Sequence, residues 1–487
     1  MFEFELPERF RRYVPLAVWL IVALVLLAVP LKIISYGYLP GDDALRHCAK
    51  AASGKPWSEI IVTGEVFKID QSLGWHGILG FLHQALNWNA ENLVLFSVVG
   101  LFFLINVATL PWLKRPEAWL AVLLTAMVIS DLPQRFLLGR PFTVTCTAMM
   151  TIFFIARERQ PDLKKFVLLT VLLAASTFIH GVWYLWLLPI AAFFFAGEFR
   201  WSLALAGAWL LGTGVSMFLS GHPVDYLNHA LQMALHGVGG HLTNRTQVTE
   251  LQPFGGDILA VILVGALVAL RAATRPNAPS LAKNPAFWLM CGCWILSFRV
   301  SRFWEDWGWP SLMVWFATEM DFLLVAKFAE DSLRRLLLVL ILALAAFFSL
   351  TSDLNERYTK SLTWQFLSVA EHPELDGWLP ENGGILYSPD MGIFYQTFYK
   401  NPTANWRYIL GYEPALMPAD DFKTYQEILW NNGDAKAYEP WVKKMKPADR
   451  LVLRGGKNEH PGISQLEWNY GVSGIWIGRT PRTVMKN

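Results

Sequence analysis

Long apolar runs separated by short basic clusters set the pattern of this chain. The runs near 14–31, 93–112, 166–196, 201–219, 257–270 and 335–350 have the length and composition of membrane spans. The polar breaks carry Arg9, Arg11 and Arg12; Lys114 and Arg115; Arg157, Arg159, Lys164 and Lys165; Arg200; Arg271, Arg275 and Lys283; and Lys327, Arg334 and Arg335. Positive residues concentrate on the cytoplasmic side of membrane proteins. Placing all of these clusters there requires the spans between them to come in pairs. They do so if 166–196 is two short spans broken at His180–Gly181. The spans then fall near 14–34, 91–111, 117–131, 142–156, 166–180, 182–196, 201–219, 257–271, 286–299, 310–326 and 335–350. That makes eleven, with the N-terminus inside and the segment after 350 outside. Several are only ~15 residues, short of the ~20 needed to cross hydrocarbon, which suits an outer half enclosing a water-filled cavity. The first run follows three arginines and ends with no small-x-small cleavage pattern, so it reads as a retained signal anchor.

This topology leaves the non-cytoplasmic side with the loop 35–90, the turn "DLPQRFLLGRP", the loop 220–256, "FRVSRFWEDWGWP" and everything after about 351. The last segment changes character: it is charge-balanced, rich in Trp, Tyr, Asn and Pro, and has no span. Within it "GGILYSPDMGIFYQTFYKNP" reads as strand, turn and helix, and "RLVLRGG" and "SGIWIGRT" read as strands. The expected fold is an α-helical polytopic membrane protein, 1–350, with the large first outer loop 35–90, joined to a small soluble α/β domain, 351–487.

Composition adds two exclusions. A net charge of +2 over 487 residues gives no reason to invoke nucleic acid. Of the four cysteines only Cys48 falls in an aqueous loop, so no disulfide framework is implied, and Cys291 and Cys293 lack the partners of a zinc site.

The chemistry concentrates in "YLPGDDALRHCAK". Pro40–Gly41 makes a turn and one of Asp42 and Asp43 caps the helix that follows. From Asp43, Arg46 lies at i+3, His47 at i+4 and Lys50 at i+7, all on one helix face. A carboxylate in that setting accepts a proton from a hydroxyl, or the pair holds a divalent metal, and the cations beside it meet a phosphate. Arg135 and Arg140, and Arg299 and Arg302, lie at outer span ends, where positive charge is disfavoured. They suit an anionic headgroup, or else snorkel or pair, Arg135 with Asp131 and the later pair with Glu305 and Asp306. Trp304, Trp307 and Trp309 read as an interfacial belt or a stacking surface for a sugar. His222, His229 and His236 recur every seven residues on what reads as an amphipathic surface helix with a wet polar face. His180 reads as a buried structural histidine.

The signal anchor, the outer loop opening with "GDDALRH", the uneven spans with outer arginines ("LLGRP") and the outer soluble domain together resemble the GT-C superfamily of integral-membrane glycosyltransferases, such as the protein O-mannosyltransferases and the lipid A aminoarabinose transferases. The resemblance implies an enzyme that takes a sugar from a polyprenyl-phosphate carrier in the plasma or inner membrane. It passes the sugar to an acceptor lipid, glycan or protein outside the cytoplasm. It implies that Asp42 or Asp43 activates the acceptor or holds a metal, and that Arg46, His47, Arg135, Arg140, Arg299 or Arg302 binds the donor phosphate. Single displacement would invert the anomeric centre. Other classes predict different features. A polysaccharide polymerase or ligase usually centres on a long late outer loop, a transporter shows two similar halves, and a non-catalytic assembly protein uses its outer domain for binding.

Overall fold

The computed structural model describes residues 7–64, 69–130, 132–157, 160–238, 251–472 and 474–481. The main helices are α1 (Val14–Ser35), α2 (Asp43–Ser53), α3 (Leu73–Leu86), α4 (Ala90–Thr109), α5 (Glu117–Ser130), α6 (Phe142–Ile155), α7 (Leu163–His180), α8 (Leu187–Phe195), α9 (Phe199–Leu219), α10 (Pro223–Val238), α11 (Ile258–Thr274), α12 (Pro285–Ser297), α13 (Trp309–Lys327), α14 (Leu333–Thr351), α15 (Met391–Lys400) and α16 (Ala419–Trp430). Every apolar run expected to span is helical. Among the described residues, five helices are long and apolar enough to cross a membrane: α1, α4 with the turn that extends it to Trp112, α7, α9 and α14. Helices α5, α6, α11 and α12, and the segment Trp183–Phe195, are apolar but shorter.

The chain divides into two compact units. The first comprises Met1–Leu39, Leu95–Gly221 and Glu250–Lys360; the second comprises Pro40–Val94, His222–Thr249 and Ser361–Asn487. The first outer loop, joined to the spans in the sequence reading, therefore groups with the C-terminal segment.

In the first unit, α1 shows why an all-apolar sequence still has two faces. Val14, Val18, Val22, Val29 and Ile33, spaced by whole turns, are buried, whereas Leu16, Leu20, Leu24, Leu27 and Leu31 point outward. The stiff β-branched side chains and Leu26 pack, and these other leucines face the surroundings. Helices α7 and α9 meet closely because Gly212 has no side chain: a Cβ there would stand 2.8 Å from the Ala174 backbone nitrogen. Thr177 and Ser216 hydroxyls bond across the same seam at 2.7 Å. Helix α7 ends at the expected "HG" break, with Gly181 left-handed (φ 76°) and its N–H bonded to the Thr177 carbonyl.

The basic loops of this unit converge. Arg335 donates from Nε to Glu117 Oε1 (2.6 Å) and from Nη2 to Oε2 (3.0 Å), and both residues are fully buried. Arg271 and Arg275 both grip Glu319. The Arg115 amide donates to Asp321 Oδ1 at 2.7 Å, and its guanidinium to the Phe328 carbonyl at 3.0 Å. Because α5 runs away from Glu117 and α13 runs toward Lys327, the residues before α13 and after α5 lie at the opposite end.

The second unit holds a five-stranded sheet of order β2-β1-β3-β5-β4, with β1 (Ile385–Tyr387), β2 (Arg407–Tyr408), β3 (Arg450–Arg454), β4 (Glu467–Val472) and β5 (Ile475–Arg479). Strand β1 pairs in parallel with β2 and β3, and the remaining pairs are antiparallel. The expected strand-turn-helix is β1 followed by α15, capped by Asp390, whose Oδ1 accepts from the Gly392 amide. Its core gathers Tyr387, Ile409, Ile428, Trp441, Leu451 and Ile463. The first loop extends this sheet: Ile61 bridges Tyr408 in parallel, and the Val62 amide donates to the Tyr408 carbonyl at 2.8 Å. Lys55 Nζ donates to the Thr403 and Ala404 carbonyls at 3.1 and 2.5 Å.

Candidate active site

Helix α2 begins at Asp43 because Pro40–Gly41 turns the chain, and it ends at Gly54, whose left-handed backbone (φ 65°) stops it. Gly41 lies against the Trp364 ring, where a Cβ would come within 2.8 Å. Helices α3 and α15 pack on α2, so its buried face carries Arg46 and His47 beside Ala44, Leu45 and Cys48. Asp42 holds the cap position, but its side chain makes no capping bond. The expected cap is thus not formed by Asp42, and Asp43 belongs to the first turn.

Asp43 Oδ1 accepts from Arg46 Nε at 2.7 Å. The guanidinium lies 4.0 Å from the Tyr412 ring centre and 6.0 Å from that of Trp57, a cation–π setting. Burial, the largest influence, works against the Arg46 charge, but Asp43 with Tyr395 and Tyr412 together outweigh it and the pKa rises above its ordinary value. The phenols of Tyr395 and Tyr412 are pushed up by burial, so both are neutral hydrogen-bonding groups at physiological pH.

The next turn holds chemistry that the spacing rules did not reveal. His47, 1% exposed, places Nδ1 2.7 Å from His76 Nε2. His76 Nδ1 lies 2.5 Å from Asp70 Oδ2, and Asp70 Oδ1 accepts from the Ser72 amide at 3.0 Å. Burial would raise the Asp70 carboxyl, but His76, Ser72 and Lys50 hold it down at about 2. Burial lowers the Lys50 ammonium, with Asp70 partly offsetting it. Asp70 and His76 belong to no motif; their only sequence signal is the helix start "IDQSLGWH".

The four arginines expected at the donor phosphate fall in the first unit. Arg135 is held by two carboxylates, Nη1 to Glu305 Oε2 at 2.6 Å and Nη2 to Asp306 Oδ1 at 2.8 Å. Asp131, its expected partner, lies outside the described residues. Arg302 Nε stands 3.9 Å from Asp306 Oδ2, a looser pairing on a side chain one-third exposed. Arg140 is half-buried and Arg299 exposed. A π-helical turn, Trp304–Gly308, presents Glu305 and Asp306 to Arg135. The ion-pair network expected from Arg302, Glu305 and Asp306 is therefore centred on Arg135.

Two expectations are corrected. Trp304, Trp307 and Trp309 are buried and form neither an interfacial belt nor an open stacking surface. Asp257 Oδ2 accepts from Trp309 Nε1 at 3.1 Å and Trp304 Nε1 at 3.4 Å, giving two indoles a polar partner inside the bundle. On α10, His229 is buried while Val224, Leu231 and Leu235 are exposed, and His222 and Gln232 are exposed too, so the expected division into a wet polar face and a packed apolar one does not hold; the His236 side chain lies outside the description. His180, half-buried rather than buried, has its Nδ1 3.0 Å from Thr145 Oγ1. Among the described residues, no three His, Cys, Asp or Glu side chains are grouped as metal ligands. Asp43 is engaged by Arg46.

No family model matches this sequence, and neither does any curated protein.

Proposed function

We propose that this protein is a membrane glycosyltransferase of GT-C plan. It moves a sugar from a polyprenyl-phosphate donor to an acceptor hydroxyl on the extracytoplasmic face, with inversion. The observation that carries the reading is the start of α2. There Asp43 and Arg46 are locked together against aromatic rings, and Asp42 stands beside them without serving as a cap. Asp42 is the carboxylate assigned to activate the acceptor, and Asp43 fixes Arg46.

For the donor phosphate the reading keeps Arg140 and Arg302 as candidates from their place at the expected outer span ends. A phosphate leaving group needs cationic support more than a general acid. The convergence of Arg115, Arg271, Arg275 and Arg335 at one end of the first unit supports placing those loops on one side, taken in this reading as the inside. The Arg135–Asp306 end, one helix length away, is then the outer end. No step is assigned to a metal.

The test is transfer from polyprenyl-phosphate-linked hexoses by the full chain in nanodiscs. Asp42→Asn should lower turnover by about 10²-fold or more without loss of folding. Asp43→Asn should mainly lower the melting temperature, since it strands Arg46. Arg302→Ala should raise the donor KM, a lost charge-assisted contact costing about 1.5–3 kcal/mol. Full transfer activity in Asp42→Asn would sink the assignment. The same assay separates this reading from an assembly protein, which would transfer nothing.

A further inference from the structure

The second unit also holds a cleft of about 470 Å³ that shares no lining residue with the candidate active site. One wall is the segment 368–381, and the other is the segment 400–406 at the junction of α15 and β2. Three contacts lace the walls together. Asn401 Nδ2 donates to the Leu367 carbonyl at 2.7 Å, Lys400 Nζ meets Glu371 Oε1 at 2.5 Å, and the Gly383 amide donates to the Asn405 carbonyl at 2.6 Å. Lys55 braces the second wall through the Thr403 and Ala404 carbonyls. Gly377 turns the first wall with a left-handed backbone (φ 74°), and its carbonyl accepts from Arg450 Nη2 at 3.1 Å. The cleft is thus preformed, and its volume falls within the ~300–1,000 Å³ of small-molecule sites.

The lining decides what fits. Asn401 uses both amide hydrogens on backbone carbonyls, the second on Thr397 at 2.8 Å. Its amide nitrogen is thereby fixed, and Oδ1 remains as an acceptor. The exposed Asp376 carboxylate is a second acceptor, and neither of these groups is bonded to another among the described residues. Lys400 lies 4.6 Å from the Phe366 ring centre and is paired with Glu371, so it offers donors without an unmatched charge. Glu381 pairs with Arg450 at 3.4 Å. An anionic ligand would meet Asp376 and Glu381 with no cation to spare, so the ligand must bring hydroxyl-type donors instead. Leu379, Pro380 and the half-buried Trp406 indole supply an apolar surface. A pyranose ring matches this combination: its hydroxyls donate to the acceptors, and its C–H face lies on an indole, whose faces carry negative charge density. We propose that this cleft binds an uncharged hexose ring. The inference goes beyond the transfer reaction, because it needs no lipid-linked donor and no chemistry at Asp42.

The experiment is saturation-transfer-difference NMR on the full chain in nanodiscs, with the methyl glycosides of glucose, galactose, mannose and N-acetylglucosamine. At least one should receive saturation, and glucuronate, which adds a negative charge, should receive less. Stronger saturation of cellotriose or mannotriose than of the matching methyl glycoside would mark the ring as a unit of a glycan; the reverse would mark a free sugar. Asp376→Ala should weaken binding by about tenfold, the loss of one charge-assisted bond. Trp406→Ala should abolish saturation of the sugar C–H protons. Trp430→Ala, an exposed indole outside the cleft, should change neither. Asp376 is exposed, so its variant decides the matter even if Trp406→Ala fails to fold. Failure of all these glycosides to bind overturns the proposal, and so does binding unchanged in Asp376→Ala. Binding lost in Asp42→Asn yet kept in Asp376→Ala would put the sugar at the candidate active site and overturn the cleft assignment. Tighter binding of free lysine than of any glycoside would make this an amine site. Sugar binding that responds to the cleft variants, with no transfer from any lipid-linked hexose, would remove the glycosyltransferase reading and leave this site in place.

Discussion

A single carboxylate shows how much the surroundings decide. Asp70 has the same chemistry as any aspartate, yet His76, Ser72 and Lys50 hold its proton affinity low inside a buried cluster. Its folded value, about 2, lies below the model-peptide value of 3.8. The folded state therefore favours the ionised form, and the stability it contributes is fully present above about pH 4. It is lost as pH falls from about 4 toward 2. The difference is worth about 2 kcal/mol. Unfolding in detergent as a function of pH should show this loss in the wild type and a flatter profile over that window in Asp70→Asn. An equal slope in both would mean that Asp70 does not carry the effect. The sequence disclosed Asp43, Arg46 and His47 as neighbours because helical spacing is visible along the chain. Asp70 and His76 were hidden because what joins them to His47 is the packing of α3 on α2, which no local spacing records.

At the scale of elements, apolar runs and punctuation were highly legible. All eleven runs are helices, and the break at His180–Gly181 falls where a glycine following a histidine suggested. What the runs could not say is which way a polar or aromatic side chain faces. Trp304 and Trp309 look like belt residues along the chain, and only Asp257, some fifty positions earlier, reveals that they point inward. The two-residue β2 was missed because its pattern is too brief to stand out from loops, and β4 because its mixed, half-buried sequence shows no clear alternation. Arg335 was equally ambiguous: counted as a loop cation, it is a buried partner of Glu117. Removing one member of such a pair strands the other, so Arg335→Met should cost about 3–5 kcal/mol. Glu117→Leu combined with Arg335→Met should recover most of that loss, because two apolar residues of similar volume need no partner. Thermal unfolding of the single and double variants decides it; an additive double variant would show that the two side chains do not act as a pair.

For the whole molecule, the proposed orientation places the loop at Lys164 inside and the C-terminal segment outside. Its four native cysteines are free and three are buried, which makes single-cysteine labelling practicable. A cysteine replacing Trp430, which is exposed, should react with a membrane-impermeant reagent added outside intact cells. One replacing Lys164 should react only after permeabilisation. The reverse pattern would overturn both the topology and the sidedness of the proposed reaction.

The bridge from Ile61 to Tyr408 and the grip of Lys55 on Thr403 and Ala404 also set a timetable. These partners are 347 to 349 positions apart, and chains are made at roughly 5–20 residues per second. The segment that carries Asp42 and His47 leaves the ribosome early, but the strand and carbonyls that anchor it arrive on the order of 20–70 s later at that rate. Until then its loop has helix-forming sequence but lacks that anchoring edge. A nascent chain arrested before residue 403 should therefore be inserted yet leave this loop open to protease, and the candidate site in it matures only as one of the later events of biosynthesis.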